Sequence, residues 1–344
     1  MDPQTTKPKT EGDRARLSGV RWAKIASLLQ RQGALLALAG VFFFASMRYD
    51  SFLTEENFLN VLRQNSMLGL VALGMTFVIL TGGIDLSVGS IVAVAGVAAA
   101  NLSARGSLLG GAAAIGIATL LGLVNGLLIA KARIQPFVVT LATMIAARGI
   151  ALAATGEQSV RVDRLSEGFT WLGRGFIGPI PVPVVILVLA YGLGWLVLAH
   201  TRFGRHVYAF GDNAEAARLM GLNVNAVTLG VYSLSGALAG LAGVILASRL
   251  GAGQPVAGTG WELDAVAAVV VGGTLLTGGQ GGAGSTLVGV LLLGFIFNVF
   301  NLEGTISSWW QWVLRGVFLL VVVVVQSRLS GRSRGPSTAA ARPA

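Results

Sequence analysis

The sequence predicts an all-α polytopic membrane protein with about ten transmembrane helices. Of its 344 residues, 54% are hydrophobic and only 12% are charged, whereas soluble domains carry about 25% charged residues. The mean hydropathy is +0.74, and apolar stretches of about 20 residues, long enough to cross a bilayer as a helix, recur along the chain. These stretches lack the polar–apolar alternation of membrane barrels, so helices rather than strands are expected.

The apolar stretches divide the chain into spans and tails. The ten predicted spans are 33–49, 59–80, 86–104, 108–130, 135–154, 180–199, 226–248, 263–276, 283–300 and 306–326. They form a membrane domain over 33–327, which follows an N-terminal tail (1–32) and precedes a C-terminal tail (328–344). The longest loop on the side of the N-terminus is 200–225.

Lys and Arg residues are distributed unequally between the two sides of these spans. Sixteen of the 25 fall on the side of the N-terminus and six on the other. Because cytoplasmic loops accumulate cations, we expect both termini and the loop 200–225 to be cytoplasmic. The net charge of +10 has the same explanation and does not indicate a nucleic-acid partner.

Residues that would support catalysis or metal binding are scarce. The chain has no cysteine, which excludes disulfides and thiolate metal sites. His200 and His206 do not occur in a metal-ligand pattern. No paired acidic motif or nucleophile–base arrangement indicates an enzyme. The sequence therefore predicts neither catalytic residues, nor a metal, nor a cofactor.

A conspicuous polar phrase, LTGGIDLSVGS at 80–90, separates the second and third spans. Gly82 and Gly83 can adopt backbone angles that stop a helix, and Asp85 or Ser87 can cap the next one. One interpretation is a tight turn between helices with a capping carboxylate. The other is a helix break at membrane depth that exposes backbone groups to a translocation path.

A partial echo of this phrase, LTGGQGGAGST, follows at 276–286. The echo suggests related repeats, as in many transporters, although a short glycine-rich match also arises by chance. Its Gly279 and Gly284 have the spacing of a phosphate-binding loop, but the essential Lys is missing and no strand precedes it. We therefore expect nucleotide to bind on another polypeptide.

The internal loop contains a self-contained short helix. Asp212 or Asn213 can cap it, Glu215 and Arg218 complement the dipole at its two ends, and Gly221 fits the left-handed position after it. A helix of about two turns at 214–220 is unstable alone and needs a partner surface. That surface is either this protein's own membrane domain or a cytoplasmic partner.

Several polar residues occur in or near the spans, where charges are costly. They could contact a passing solute, or pair with helix ends and reach towards the interface. The candidates for a translocation pathway are Asp85, Asn125, Arg148, Asn298 and Arg315.

Four segments in order resemble the permease subunits of bacterial ABC importers for monosaccharides, the ribose/xylose/arabinose-type family (carbohydrate uptake transporter class 2). They are TGGIDLSVGS, NGLLIAKARIQPFVVTLATMIAARGIAL, TRFGRHVYAFGDNAEAARLMGLNV and VVVGGTLLTGGQGGAGSTLVG. The similarity covers about residues 52–326, nearly the whole membrane domain. The last segment is the weakest match, because family members more often carry a Ser-rich version.

The resemblance implies a transport subunit of the bacterial inner membrane. Two permease copies, or two related permeases, would form the pathway, with ABC ATPase subunits docked beneath and a periplasmic sugar-binding protein delivering the solute. It also implies that the internal loop couples to the ATPase. The coupling residues by this resemblance are Gly204, Arg205, Asn213, Ala214, Ala217, Arg218 and Gly221.

An ion-coupled secondary transporter is the alternative function. It would need a membrane-embedded carboxylate, for which Asp85 and Asp264 are the candidates. Transport by membrane vesicles without ATP or a partner ATPase would favour it.

Overall fold

The computed structural model describes residues 33–162 and 167–304, together with separate residues between 307 and 324. Seven helices in this part are long and apolar enough to cross a bilayer. They are α2 (Glu55–Leu80), α3 (Val88–Leu102, counted with the 3-10 turn that continues it to Arg105), α4 (Ser107–Ala132), α5 (Pro136–Thr155), α7 (Val182–His200), α10 (Val224–Leu250) and α12 (Ala283–Glu303). The all-α polytopic fold is confirmed.

Shorter elements connect the long helices. Within residues 33–162 and 167–304, the short helices are α1 (Gly33–Arg48), α6 (Glu167–Arg174), α8 (Arg202–Asp212), α9 (Ala214–Leu219) and α11 (Trp261–Val271), with a 3-10 turn at Ser103–Arg105. Four two-residue strands form two antiparallel pairs. The strands are β1 (Val160–Arg161), β2 (Phe176–Ile177), β3 (Ile180–Pro181) and β4 (Ala252–Gly253), of which β1 pairs with β4 and β2 with β3.

Helix α2 lies at the centre of the domain. Of its most apolar 18-residue window, 78% is buried, against 28% for α4 and 22% for α5. Helix α10 packs across α2, α3 and α4. Helices α10 and α4 lie so close together that a Cβ atom on Gly122 would overlap the carbonyl oxygen of Tyr232. Such contacts between small residues replace the hydrophobic driving force that helices lack in lipid.

The eighth predicted span, 263–276, is not a full crossing. The structure has α11 there, which ends at Val271 and is 11 residues long. At 1.5 Å per residue it is about 16 Å long, roughly half the hydrocarbon thickness. The tenth predicted span, 306–326, falls largely outside the described residues.

The chain between α10 and α11 re-enters the protein instead of forming an external loop. Gly251 ends α10 in a left-handed conformation, with φ of 71°. A Cβ atom on Gly253 would overlap the carbonyl oxygen of Gly96, and one on Gly258 would lie 2.6 Å from that of Gly89. Because Gly89 and Gly96 are seven residues apart on α3, the segment descends about 10 Å into the domain. We call residues 251–260 the re-entrant segment.

Candidate translocation and coupling sites

The turn between α2 and α3 is built by its glycines. Gly82 has φ of 75°, and the amides of Gly82 and Gly83 donate to the last carbonyl groups of α2. Seven residues, 81–87, connect α2 to α3. Of these, Asp85 and Ser87 have no exposed surface.

Asp85 ties this turn to two helices. Its Oδ1 accepts hydrogen bonds from the Ser87 amide at 3.0 Å and the Ser87 hydroxyl at 2.5 Å. Its Oδ2 accepts one from the Ser235 hydroxyl of α10 at 2.8 Å. The bond to the Ser87 amide fits the tight-turn interpretation, while the bond to Ser235 fixes the turn inside the protein.

The polar network continues from Asp85 into the membrane domain. The Ser87 hydroxyl accepts from Asn125 Nδ2 of α4 at 2.9 Å, and Asn125 Oδ1 accepts from the Thr143 hydroxyl of α5 at 2.6 Å. Asn125 is completely buried. In this conformation Asp85 and Asn125 therefore face protein groups of α3, α4, α5 and α10.

Two other sequence candidates lie elsewhere. Asn298 of α12 and Asn57 of α2 exchange two side-chain hydrogen bonds, at 2.8 and 3.2 Å. This amide pair joins the two helices some distance from the Asp85 network. Arg315 lies outside the described residues.

Arg148 holds the re-entrant segment against α5. Its Nη1 donates to the carbonyl oxygens of Pro255 at 2.7 Å and Ala257 at 2.8 Å. The guanidinium is half-buried and is attracted by the carboxylate of Glu262, which is also half-buried, in the first turn of α11. Sequence reasoning missed Glu262 because it lies one residue before the predicted eighth span.

The internal loop folds as two helices rather than one. The predicted cap is confirmed: Asn213 Oδ1 accepts from the amides of Glu215 at 3.0 Å and Ala216 at 2.9 Å. Gly221 takes the expected left-handed conformation, with φ of 80°. Helix α8, which precedes α9, was not predicted. Its start is capped by the Thr201 hydroxyl, which accepts from the Gly204 amide at 3.1 Å.

The seven residues assigned to coupling fall into two groups. Arg205, Asn213, Arg218 and Gly221 are exposed, whereas Gly204 is buried, Ala214 is partly buried and Ala217 has 0% exposure. Ala217 therefore supports α9 from within the chain. The largest apolar side chains on the outer surface of this loop are Leu219, at 84% exposure, and Met220, at 70%.

Helix α8 packs directly on the two similar glycine-rich phrases, 80–90 and 276–286. The amide of Gly279 donates to the carbonyl oxygen of Leu80 at 3.0 Å, so the two LTGG turns touch each other. A Cβ atom on Gly211, near the end of α8, would overlap that same Leu80 oxygen. The hydroxyl of Tyr208 donates to the carbonyl oxygen of Gly281 at 2.9 Å, and burial raises the pKa of this phenol above its usual range. The internal loop is thus connected to the end of α2 and to the loop that joins α11 to α12.

Seven long apolar helices, packed around the half-length helix α11, define the chain as a multi-pass membrane protein. The sequence matches, over residues 57–323, the family described as "Branched-chain amino acid transport system / permease component". The chain belongs to this family of permease components. It is accordingly a transport subunit and not an enzyme, and it acts in the inner membrane with an ABC ATPase and a solute-binding protein.

Curated relatives are similar over nearly their whole length. Ribose import permease protein RbsC of Escherichia coli K12 is 42% identical over 316 residues, which cover 91% of this chain and 98% of the relative. RbsC of Bacillus subtilis 168 is 43% identical, covering 95% and 99%. L-arabinose ABC transporter permease protein AraH of Azospirillum brasilense is 36% identical, covering 94% and 95%. No solved structure matches the chain.

Proposed function

We propose that this chain imports a monosaccharide, with the pentose ribose as the first candidate. The observation that carries the proposal is the end-to-end similarity to permeases named for ribose, at 42–43% identity. AraH, named for L-arabinose, supports the same solute class. The family description refers to branched-chain amino acids, which are charged and partly apolar, so the two solute classes are chemically distinct.

The pathway in this proposal lies between two permeases, either two copies of this chain or this chain and a related one. Most residues of α4 and α5 are only partly buried or are exposed in a single copy. Arg148 and Glu262 are half-exposed beside α5 at membrane depth, and charges are costly against lipid. A second permease facing α5 would enclose these polar groups together with water and solute.

The ATPase docks, in this proposal, on the surface formed by α9 and the residues after it. Leu219 and Met220 supply exposed apolar anchors, and Arg205 and Arg218 supply charge beside them. Asn213 and Gly221 fix the two ends of the helix, while Gly204, Ala214 and Ala217 hold it on the membrane domain. This surface is cytoplasmic by the charge asymmetry, as are the tails 1–32 and 328–344.

Uptake in Escherichia coli that lacks its ribose import permease tests the proposed solute. We expect this chain, expressed with its own ATPase and binding-protein partners, to restore ATP-dependent uptake of labelled ribose or arabinose, with leucine as the matched non-sugar solute. Uptake of leucine without any pentose would overturn the proposal. Uptake that continues without an ATPase subunit would instead support ion coupling.

A further inference from the structure

Polar groups are exposed around the start of α11, deep in the membrane domain. Thr259 is exposed, and Arg148, Gln254 and Glu262 are half-exposed. The Thr259 hydroxyl donates to the carbonyl oxygen of Val256 at 2.7 Å, which leaves its own oxygen free to accept. These groups surround non-helical backbone, which does not occur in contact with lipid.

The depth of these groups follows from helix geometry. Gly243 of α10 packs on Val92 of α3 and lies seven residues, about 10 Å, below the external end of α10. Gly89 lies one turn further along α3, about 5 Å deeper. The Glu262 carboxylate touches Gly89. It therefore lies about 15 Å below the external end of α10, close to the middle of a 30 Å hydrocarbon layer.

The first turns of two helices meet at Glu262. Its carboxylate lies against the first turn of α3, beside Gly89, and belongs to the first turn of α11. Helix N-termini favour an anion, which partly offsets the cost of burying this carboxylate. One Nη of Arg148 is occupied by Pro255 and Ala257, and the other nitrogens of this guanidinium remain available as donors.

We infer that Arg148, Glu262 and Thr259 form a midplane binding station for a polyhydroxylated solute. A sugar hydroxyl can donate to the Glu262 carboxylate while its oxygen accepts from the Arg148 guanidinium, and the Thr259 hydroxyl adds an adaptable third group. Charge-assisted bonds of this type are strong enough to replace the hydration of a hydroxyl. Binding is weak because all three groups remain partly or fully exposed, as passage through a pathway requires. This assignment rests on the proposed sugar-import function.

Thiol labelling tests whether water reaches this depth. The native chain has no cysteine, so Thr259→Cys carries the sole thiol. Only a hydrated thiol ionises and reacts, so we expect a charged methanethiosulfonate reagent to modify Thr259→Cys during ATP-driven turnover. Ribose at about 100 mM, a concentration high enough to occupy weak sites, should slow this modification. The matched control is Leu193→Cys in the apolar α7, where Leu193 is 64% exposed in this chain; it should stay unmodified. Equal inertness of both thiols would overturn the station.

The number of sugar molecules moved per ATP separates solute contact from fold. We expect Glu262→Gln, reconstituted with its ATPase and binding protein, to keep binding-protein-stimulated ATP hydrolysis while ribose moved per ATP falls about tenfold, the size expected for one charge-assisted hydrogen bond. Glu55→Gln, an exposed first-turn acid of α2, should change neither quantity. An unchanged ratio in Glu262→Gln, or a parallel loss of hydrolysis and transport, would overturn the role.

Failure of the station and failure of the proposed solute give different results. Labelling of Thr259→Cys reports water at the midplane whichever solute is moved. If the unmodified permease imports no pentose, the proposed function fails even when the thiol reacts. If it imports ribose while the thiol is inert and Glu262→Gln is normal, only the station fails.

Discussion

At the residue scale, Asp85 satisfies three donors with one buried carboxylate. Two come from Ser87 and one from Ser235. A buried donor that loses its acceptor costs about 1–3 kcal/mol. Asp85→Ala removes the acceptor for all three, whereas Asp85→Asn keeps one oxygen and supplies an amide that can donate to Ser235.

We therefore expect Asp85→Ala to lower the unfolding temperature of the purified permease clearly, and Asp85→Asn to lower it much less. Thermal unfolding in detergent measures both variants. Asp50→Ala, which removes an exposed carboxylate, is the control and should resemble the parent. Equal stability of Asp85→Ala and the parent would show that this network does not stabilise the fold.

The side chains of the internal loop make a second residue-scale prediction. Ala217→Arg forces a long charged side chain into a fully buried position, so we expect it to damage the permease itself by at least the 1–3 kcal/mol of overpacking. Leu219→Asp alters only an exposed side chain. It should leave the permease folded and inserted but reduce co-purification of the ATPase.

The matched control for Leu219→Asp is Leu53→Asp, which changes another exposed leucine at the opposite end of α2 from the internal loop. It should retain the ATPase. Normal ATPase association and normal ATP-driven uptake in Leu219→Asp would remove docking from this surface and leave α9 as a connector within the permease.

At the element scale, α8 links α9 to the membrane helices. It joins α9 at Asn213 and packs through Gly211 on the carbonyl oxygen of Leu80. The same oxygen receives the Gly279 amide from the second glycine phrase. A displacement of α9 by a cytoplasmic partner would thus reach the end of α2 and the loop between α11 and α12 through backbone contacts, which cannot adjust by changing rotamer.

Gly211→Ala tests this link, because even a methyl group would overlap the Leu80 oxygen. We expect loss of ATP-driven uptake and a lower unfolding temperature, with about 1–3 kcal/mol of overpacking cost. Gly116→Ala in α4 is the control, since no atom lies near its added methyl group and alanine favours the helix. Uptake by Gly211→Ala at the level of Gly116→Ala would contradict the link.

At the scale of the whole molecule, the orientation in the membrane decides which end meets which partner. We expect Glu215→Cys to be cytoplasmic and Glu157→Cys to be external, because α9 and the end of α5 lie at opposite ends of the helices and the cations favour a cytoplasmic internal loop. Both positions are exposed, and the parent chain gives no background because it lacks cysteine.

An impermeant thiol reagent added to intact spheroplasts measures this orientation. Glu157→Cys should react at once, and Glu215→Cys only after the membrane is opened. The reverse order of reaction would invert the topology and place the ATPase-docking surface outside the cell.

Local signals in the sequence determined much of the domain. Composition and apolar run length predicted the polytopic helical class, because backbone groups in lipid must be satisfied within each helix. The Asn213 cap and the left-handed Gly221 were also predictable, since capping depends on a few adjacent residues. Family-specific phrases in the right order then indicated the permease family.

Tertiary structure alone decided which polar groups meet. Asp85 and Ser235 are 150 residues apart, and no local pattern joins them. Glu262 was overlooked as a candidate because it lies one residue before the predicted eighth span, 263–276. The fold has a re-entrant segment and a half-helix there instead of a full span. Hydropathy depends only on the composition of one segment. Whether non-helical backbone is tolerated at membrane depth depends instead on the protein groups that cover it, which here are α3, α5 and Arg148. That cover comes from distant parts of the chain, so it exists only once the helices have packed.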